Sequence, residues 1–143
     1  MIPYETKDIR SIVLLGHGAS GKTSLVESML FKAGATARLG SVESGTSVSD
    51  YDPDAKEKKH SIDSSILHCN WTGREIIIID TPGYADFIRD TITALVASET
   101  AIIVISATDG IQVNTRKLWD LACQKGLGKI IVITKVDGEN IDY

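Results

Sequence analysis

The sequence predicts an α/β fold: a mostly parallel sheet with helices on both faces and one antiparallel hairpin at its edge. Three observations lead there. Short apolar runs alternate with segments of helical period, the order that builds parallel strands joined by helical crossovers. The first run, Ile12-Val13-Leu14-Leu15, passes directly into the glycine-rich turn Gly16-His17-Gly18-Ala19-Ser20-Gly21-Lys22-Thr23 and then into a helical pattern. Two neighbouring runs in mid-chain are separated by Trp71-Thr72-Gly73-Arg74, which marks a hairpin.

Taken in order, Ser11–Leu15 reads as a buried strand and Lys22–Lys32 as a helix packed through Leu25, Met29 and Leu30, with Gly34 as its stop. Ala35–Ser61 has neither period, is rich in Gly, Ser and Asp, and ends in the charged run Asp54–Lys59. A loop of that length inside a compact domain is expected to be functional and ordered by its ligand. Ile62–Cys69 and Glu75–Ile79 form the hairpin, and the unbroken apolar run Ile76–Ile79 suits a strand covered on both faces. Asp86–Ser98 is a helix, packed through Phe87, Thr91 and Leu95 or through Ile88, Ile92 and Leu95. Strand Ala101–Ser106, helix Val113–Lys125 and strand Lys129–Thr134 complete the alternation. Only nine residues follow Thr134, with no closing helix. The expectation is therefore an N-terminal piece of a longer protein, residues 1–143 forming one domain with an open sheet edge at its last strand.

Composition narrows the function. The chain is 43% hydrophobic and 24% charged, as in ordinary soluble α/β proteins, with no run long enough to cross a membrane and no signal-peptide pattern. A net charge of −4 argues against a basic face that grips nucleic acid, so no direct DNA binding is expected. Cys69 and Cys123 have no metal-ligand spacing and are read as core or half-buried thiols of a reducing, cytoplasmic setting.

The glycine-rich turn has the spacing G-x-x-x-x-G-K-[ST] of the P-loop of nucleoside triphosphatases. Its backbone N–H groups, from Gly16 through Ser24 at the head of the helix, would wrap phosphates. Lys22 would reach the β- and γ-phosphates and Thr23 would ligate Mg²⁺. A loop that merely joins strand to helix is the plainer alternative, and the strand–loop–helix order weighs against it. Asp80-Thr81-Pro82-Gly83 follows the strand Ile76–Ile79, where Asp80 can orient Mg²⁺ and the Gly83 N–H can meet a γ-phosphate. Thr134-Lys135-Val136-Asp137 ends the last strand. There Asp137 can accept two hydrogen bonds from guanine, where adenine would present an acceptor, and Lys135 can lay its stem on the purine. In isolation that motif is a solvated Lys/Asp pair; its place after the other two motifs gives it meaning.

Together these motifs resemble the GTP-binding domain of translational GTPases, most closely elongation factor G and its paralogues. The likeness extends to Gly34-Ala35, Gly40-Ser41-Val42, Gly45-Thr46-Ser47-Val48-Ser49-Asp50, Tyr84-Ala85-Asp86-Phe87 and Asp109-Gly110-Ile111-Gln112. It implies GTP or GDP with Mg²⁺ as ligands, hydrolysis when docked on the ribosome, and switch loops over Ala35–Ser61 and Asp80–Arg89. The group also includes the ribosomal protection proteins, an alternative role.

Three departures stand out. Tyr84 replaces the family's usual His after D-T-P-G, which positions the attacking water; a phenol is a poor base and an uncharged donor at neutral pH. Tyr84 therefore reads either as a working positioner or as the mark of a nucleotide-dependent switch with very slow hydrolysis. Lys58-Lys59-His60-Ser61-Ile62 stands for R-G-I-T-I, and Ser61 keeps the hydroxyl for Mg²⁺. Thr134 replaces the Asn of N-K-x-D, which is expected to cost about 0.5–1.5 kcal/mol of affinity. An adenine-nucleotide ATPase is disfavoured by Asp137.

Overall fold

The computed structural model describes residues 4–49, 63–84 and 88–138. After a short 3₁₀ turn at Thr6–Asp8 come β1 (Ile9–Leu15), α1 (Lys22–Lys32), β2 (Ser65–Trp71) and β3 (Arg74–Asp80). They are followed by α2 (Ile88–Val96), β4 (Thr100–Ser106), α3 (Val113–Gln124) and β5 (Gly128–Thr134). The five strands form one sheet in the order β2-β3-β1-β4-β5. β1 runs parallel to both β3 and β4, and β4 parallel to β5. Only the β2–β3 pair is antiparallel, so the hairpin sits at one edge and β5 at the other.

The sheet divides the core in two because alternate residues of a strand face opposite sides. Val13 and Leu15 of β1 join Ile79, Ala101, Ile103, Ala94, Leu95, Leu118 and Ala122 beneath α2 and α3. Leu14 joins Ile78, Ile102, Val104, Val26, Leu30 and Cys69 beneath α1. Helix α1 has the expected bounds, but Val26 and Leu30 are its fully buried centre while Leu25 and Met29 pack at the margin.

Several expected boundaries shift. The hairpin turn is tighter than the four residues anticipated: β2 runs through Trp71, β3 starts at Arg74, and Thr72 and Gly73 alone make the turn, both at positive φ (49° and 79°). This is the two-residue turn that matches strand twist. β2 begins at Ser65; Ile62, where the strand was expected to start, lies outside the described residues. On α2, Thr91, Ala94 and Leu95 are buried and Ile92 is exposed, so the packed face is the Thr91/Leu95 one. Phe87 and the side chain of Ile88 are outside the described residues. Cys69 is a core thiol, held above its ordinary pKa by burial and then by the Glu75 charge, whereas Cys123 is exposed rather than half-buried. Among the described residues no helix is long and apolar enough to cross a membrane.

Candidate nucleotide site

Because β1, β3, β4 and β5 are mutually parallel, the segments leaving them emerge at one edge of the sheet, where open α/β sheets bind ligands. Four stretches converge there: the predicted Gly16–Thr23 loop after β1, Asp80 at the end of β3 and Thr134 at the end of β5, joined by the Asp109 turn after β4.

Gly16 turns the chain out of β1 with φ of 154°, and a Cβ there would overlap the carbonyl oxygen of Val104 in β4. The loop then closes on itself through the Ser20 N–H to the His17 carbonyl at 3.2 Å. Gly21, at φ 90°, admits the chain to α1, while Ala19 holds φ 59°, a conformation costly for a residue with a Cβ. The Lys22 ammonium is buried and curls into the loop, donating to the carbonyls of Gly16 (3.2 Å) and His17 (2.8 Å). His17 Nδ1 and Ser20 Oγ are buried polar atoms that meet no hydrogen-bond partner among the described residues. Ser24 lies on the exposed side of the first turn of α1.

Thr23 and Asp80 meet directly: the Thr23 hydroxyl donates to Asp80 Oδ2 at 2.7 Å, both groups buried. Thr81 next to it donates to the Leu14 carbonyl at 2.6 Å, pinning the D-T-P-G turn to β1. Gly83 then passes so close to the P-loop that a Cβ would overlap Lys22 Nζ and come within 2.6 Å of the Gly18 nitrogen. The Tyr84 ring lies on Gly18, where a Cβ would sit 2.7 Å from Cζ. Two glycines, one from each motif, thus let the two loops touch.

Thr134 does something the sequence did not announce. Its hydroxyl donates to the Ser20 carbonyl at 2.6 Å and lies 3.3 Å from the Ile105 carbonyl, so it straps the P-loop to the end of β5. Lys135 has φ 56° and its ammonium sits 3.7 Å from Asp109, both half-exposed, a pair worth little in energy. A hydrogen bond from Ser106 holds the Asp109 carboxyl below its ordinary pKa, with the Lys135 charge and Thr108 adding to it. Asp137 lies exposed on the turn that follows. Ser61, the third expected metal-site hydroxyl, lies outside the described residues, as do Ala85–Phe87.

Sequence reasoning missed two residues at this edge. Asn114, in the first turn of α3, donates to the Gly83 carbonyl at 3.0 Å. Asp109 was noted as part of a pattern and not as the partner of Lys135. Neither carries a local signal, since both matter through contacts distant in sequence.

A sequence profile described as "Elongation factor Tu GTP binding domain" matches residues 7–142. The chain belongs to that family. It is 36% identical over 135 residues to an elongation factor G-like protein of Mycobacterium tuberculosis, covering 94% of this chain and 19% of that protein. It is also 36% identical over 138 residues to the mitochondrial ribosome-releasing factor 2 of Drosophila willistoni, covering 96% and 19%. A crystal structure of a Thermus thermophilus protein superposes with a TM-score of 0.90 at 39% identity over 94% of this chain and 20% of that one. A bacterial selenocysteine-specific elongation factor superposes at 0.74 with 25% identity, over 90% and 20%. The chain thus spans about a fifth of the length of these relatives. Its fold is that of a P-loop GTPase, and the family to which it belongs is a GTP-binding domain.

Proposed function

We propose that this GTP-binding domain takes up GTP with Mg²⁺ and hydrolyses it, as part of a cytoplasmic elongation-factor-G-like translation factor that acts on the ribosome. The observation that carries the reading is the buried Thr23–Asp80 pair beside Lys22 and Gly83. A hydroxyl and a carboxylate 2.7 Å apart are hard oxygen donors, the kind Mg²⁺ prefers alongside phosphate oxygens and water. Bound there, Mg²⁺ would neutralise charge building on the phosphates during phosphoryl transfer.

The chain's own groups have distinct tasks in this reading. The backbone N–H groups from Gly16 to Ser24 cradle the phosphates, and Lys22 brings a positive charge to their terminal end. Gly83 offers its N–H to the γ-phosphate, and Asn114 restrains the following peptide by holding the Gly83 carbonyl. Tyr84, already against Gly18, donates its phenolic hydrogen to orient the attacking water. Asp137 accepts from the guanine edge while Lys135 covers the base. Thr134 serves by holding the P-loop.

The position of Tyr84 favours a second reading as well: a ring resting on the P-loop suits a switch that hydrolyses slowly. Titration with fluorescent GDP and ADP, with and without Mg²⁺, tests binding; GDP is expected to win, and Asp137→Ala to erase the preference. Equal binding of ADP would overturn the guanine site. Single-turnover hydrolysis then separates the two readings. Tyr84→His should slow a chain whose tyrosine positions water, whereas a large gain would identify the slow switch.

A further inference from the structure

Glu27 belongs to no motif, yet it is completely buried in the middle of α1 (0% exposed). A carboxylate leaves water at high cost unless hydrogen bonds replace what it loses. Here Oε1 accepts from the Ser47 hydroxyl at 2.9 Å and from the Val48 backbone N–H at 2.6 Å. Oε2 is buried, meets no hydrogen-bond partner among the described residues, and lies against Gly40. A Cβ at Gly40 would overlap Oε2 and sit 2.7 Å from the carboxyl carbon. The segment from Gly40 to Val48 is therefore moulded around this one side chain.

The same segment is held from the opposite side. Ser65, the first residue of β2, donates its hydroxyl to the Ser49 carbonyl at 2.5 Å, and the Ser47 and Ser49 hydroxyls lie 3.2 Å apart. Residues 47–49 thus form a strap between α1 and the hairpin.

Both anchors neighbour a candidate Mg²⁺ ligand. Glu27 stands one helical turn after Thr23, on the same face of α1. Ser65 stands directly opposite Asp80 in the β2–β3 register. We propose that Glu27 is a positioning residue: through the strap it sets where Thr23 lies relative to Asp80, and so sets the Mg²⁺ affinity of the nucleotide complex. The inference rests on the nucleotide–Mg²⁺ reading above and deepens it.

The test measures two quantities on the chain with fluorescent GDP: affinity in EDTA, and the Mg²⁺ concentration that half-restores the Mg²⁺-bound affinity. Glu27→Ala removes the acceptor of two hydrogen bonds and is expected to raise the Mg²⁺ requirement about tenfold. Affinity in EDTA should stay within about twofold, because the positioning acts on the Thr23–Asp80 pair and not on the backbone cradle of the phosphates. Glu27→Gln keeps Oε1 as an acceptor and should stay near wild type. Gly40→Ala keeps the carboxylate but pushes it aside, and should reproduce Glu27→Ala. The double variant should be no worse than either alone. Should Glu27→Ala fail to fold, Gly40→Ala and Ser65→Ala carry the comparison. Equal loss in EDTA and in Mg²⁺, or an unchanged Mg²⁺ requirement, would overturn the positioning role. A wild-type chain whose GDP affinity ignores Mg²⁺ would instead overturn the reading on which this one rests.

Discussion

Thr134→Val separates two roles that one hydroxyl could have. By sequence, Thr134 stands in the base-reading motif; in the fold its hydroxyl donates to the Ser20 carbonyl of the P-loop at 2.6 Å. The second acceptor, the Ile105 carbonyl at 3.3 Å, is the weaker of the two for a single proton. Valine keeps the branched shape and removes the donor. A neutral hydrogen bond contributes about 1 kcal/mol net, and leaving a shielded carbonyl unpaired raises the cost toward about 2 kcal/mol. Since a factor of ten is about 1.4 kcal/mol, GDP should bind roughly 5- to 30-fold more weakly. The loss falls on the phosphate cradle, which any nucleoside diphosphate uses, so the GDP-to-ADP ratio should hold within about twofold. Parallel titrations of both nucleotides on wild type and variant decide it. A collapsed ratio would mean that Thr134 reads the base, and unchanged GDP affinity would mean that the strap to Ser20 carries nothing.

Gly16→Ala forces a Cβ onto the Val104 carbonyl oxygen at a φ of 154°; the Ser20 hydroxyl, at 2.9 Å, can turn away, but the β4 backbone cannot. Overpacking of that kind costs about 2–3 kcal/mol, or roughly 5–10 °C in melting temperature for a domain of this size, read by circular dichroism. An unshifted melt would show that the strand β4 backbone gives way freely. Asp109 supplies a pH prediction. Its folded pKa lies below the ordinary 3.8, first through Ser106, so it stabilises the fold above the unfolded value. That contribution is lost only as pH falls from 3.8 through the lowered folded value, and Ser106→Ala should move the loss to higher pH in acid titrations followed by fluorescence. An identical acid limb in both chains would remove Ser106 as the cause.

What the sequence disclosed and what it withheld follow from the range of the physics involved. The strands, α1 and the two glycine-bearing motifs were legible because local patterns produce them: the apolar run into Gly16, and the run Ile76–Ile79 into Asp80. The packed face of α2 was ambiguous, since two registers place Leu95 inside and only the neighbouring sheet decides that Ile92 faces out. Nothing in the helical pattern singles out Glu27. Its burial depends on Ser47 and Val48, some twenty residues later, and no periodicity encodes that. The same holds for Asn114 and Gly83. Thr134 was recognised by position, but its bond to Ser20 was not foreseen, because a motif names a residue type and leaves its partner unstated.

The contacts at the sheet edge also bear on how a nucleotide would be sensed. Gly83 is hemmed by Lys22 and Gly18 on one side, and its carbonyl is held by Asn114 on the other. That carbonyl belongs to the 83–84 peptide, so turning it breaks a hydrogen bond to the start of α3 worth about 1 kcal/mol. Asp80, three residues earlier, is bonded to Thr23 at the head of α1. The short turn 80–84 therefore joins the helices on opposite faces of the sheet, α1 through a hydroxyl–carboxylate pair and α3 through an amide. Packed cores shift between discrete arrangements and deform little in between. A ligand that draws on both ends of this turn would couple the two faces through five residues, with Tyr84 lying on Gly18 at the end of the turn.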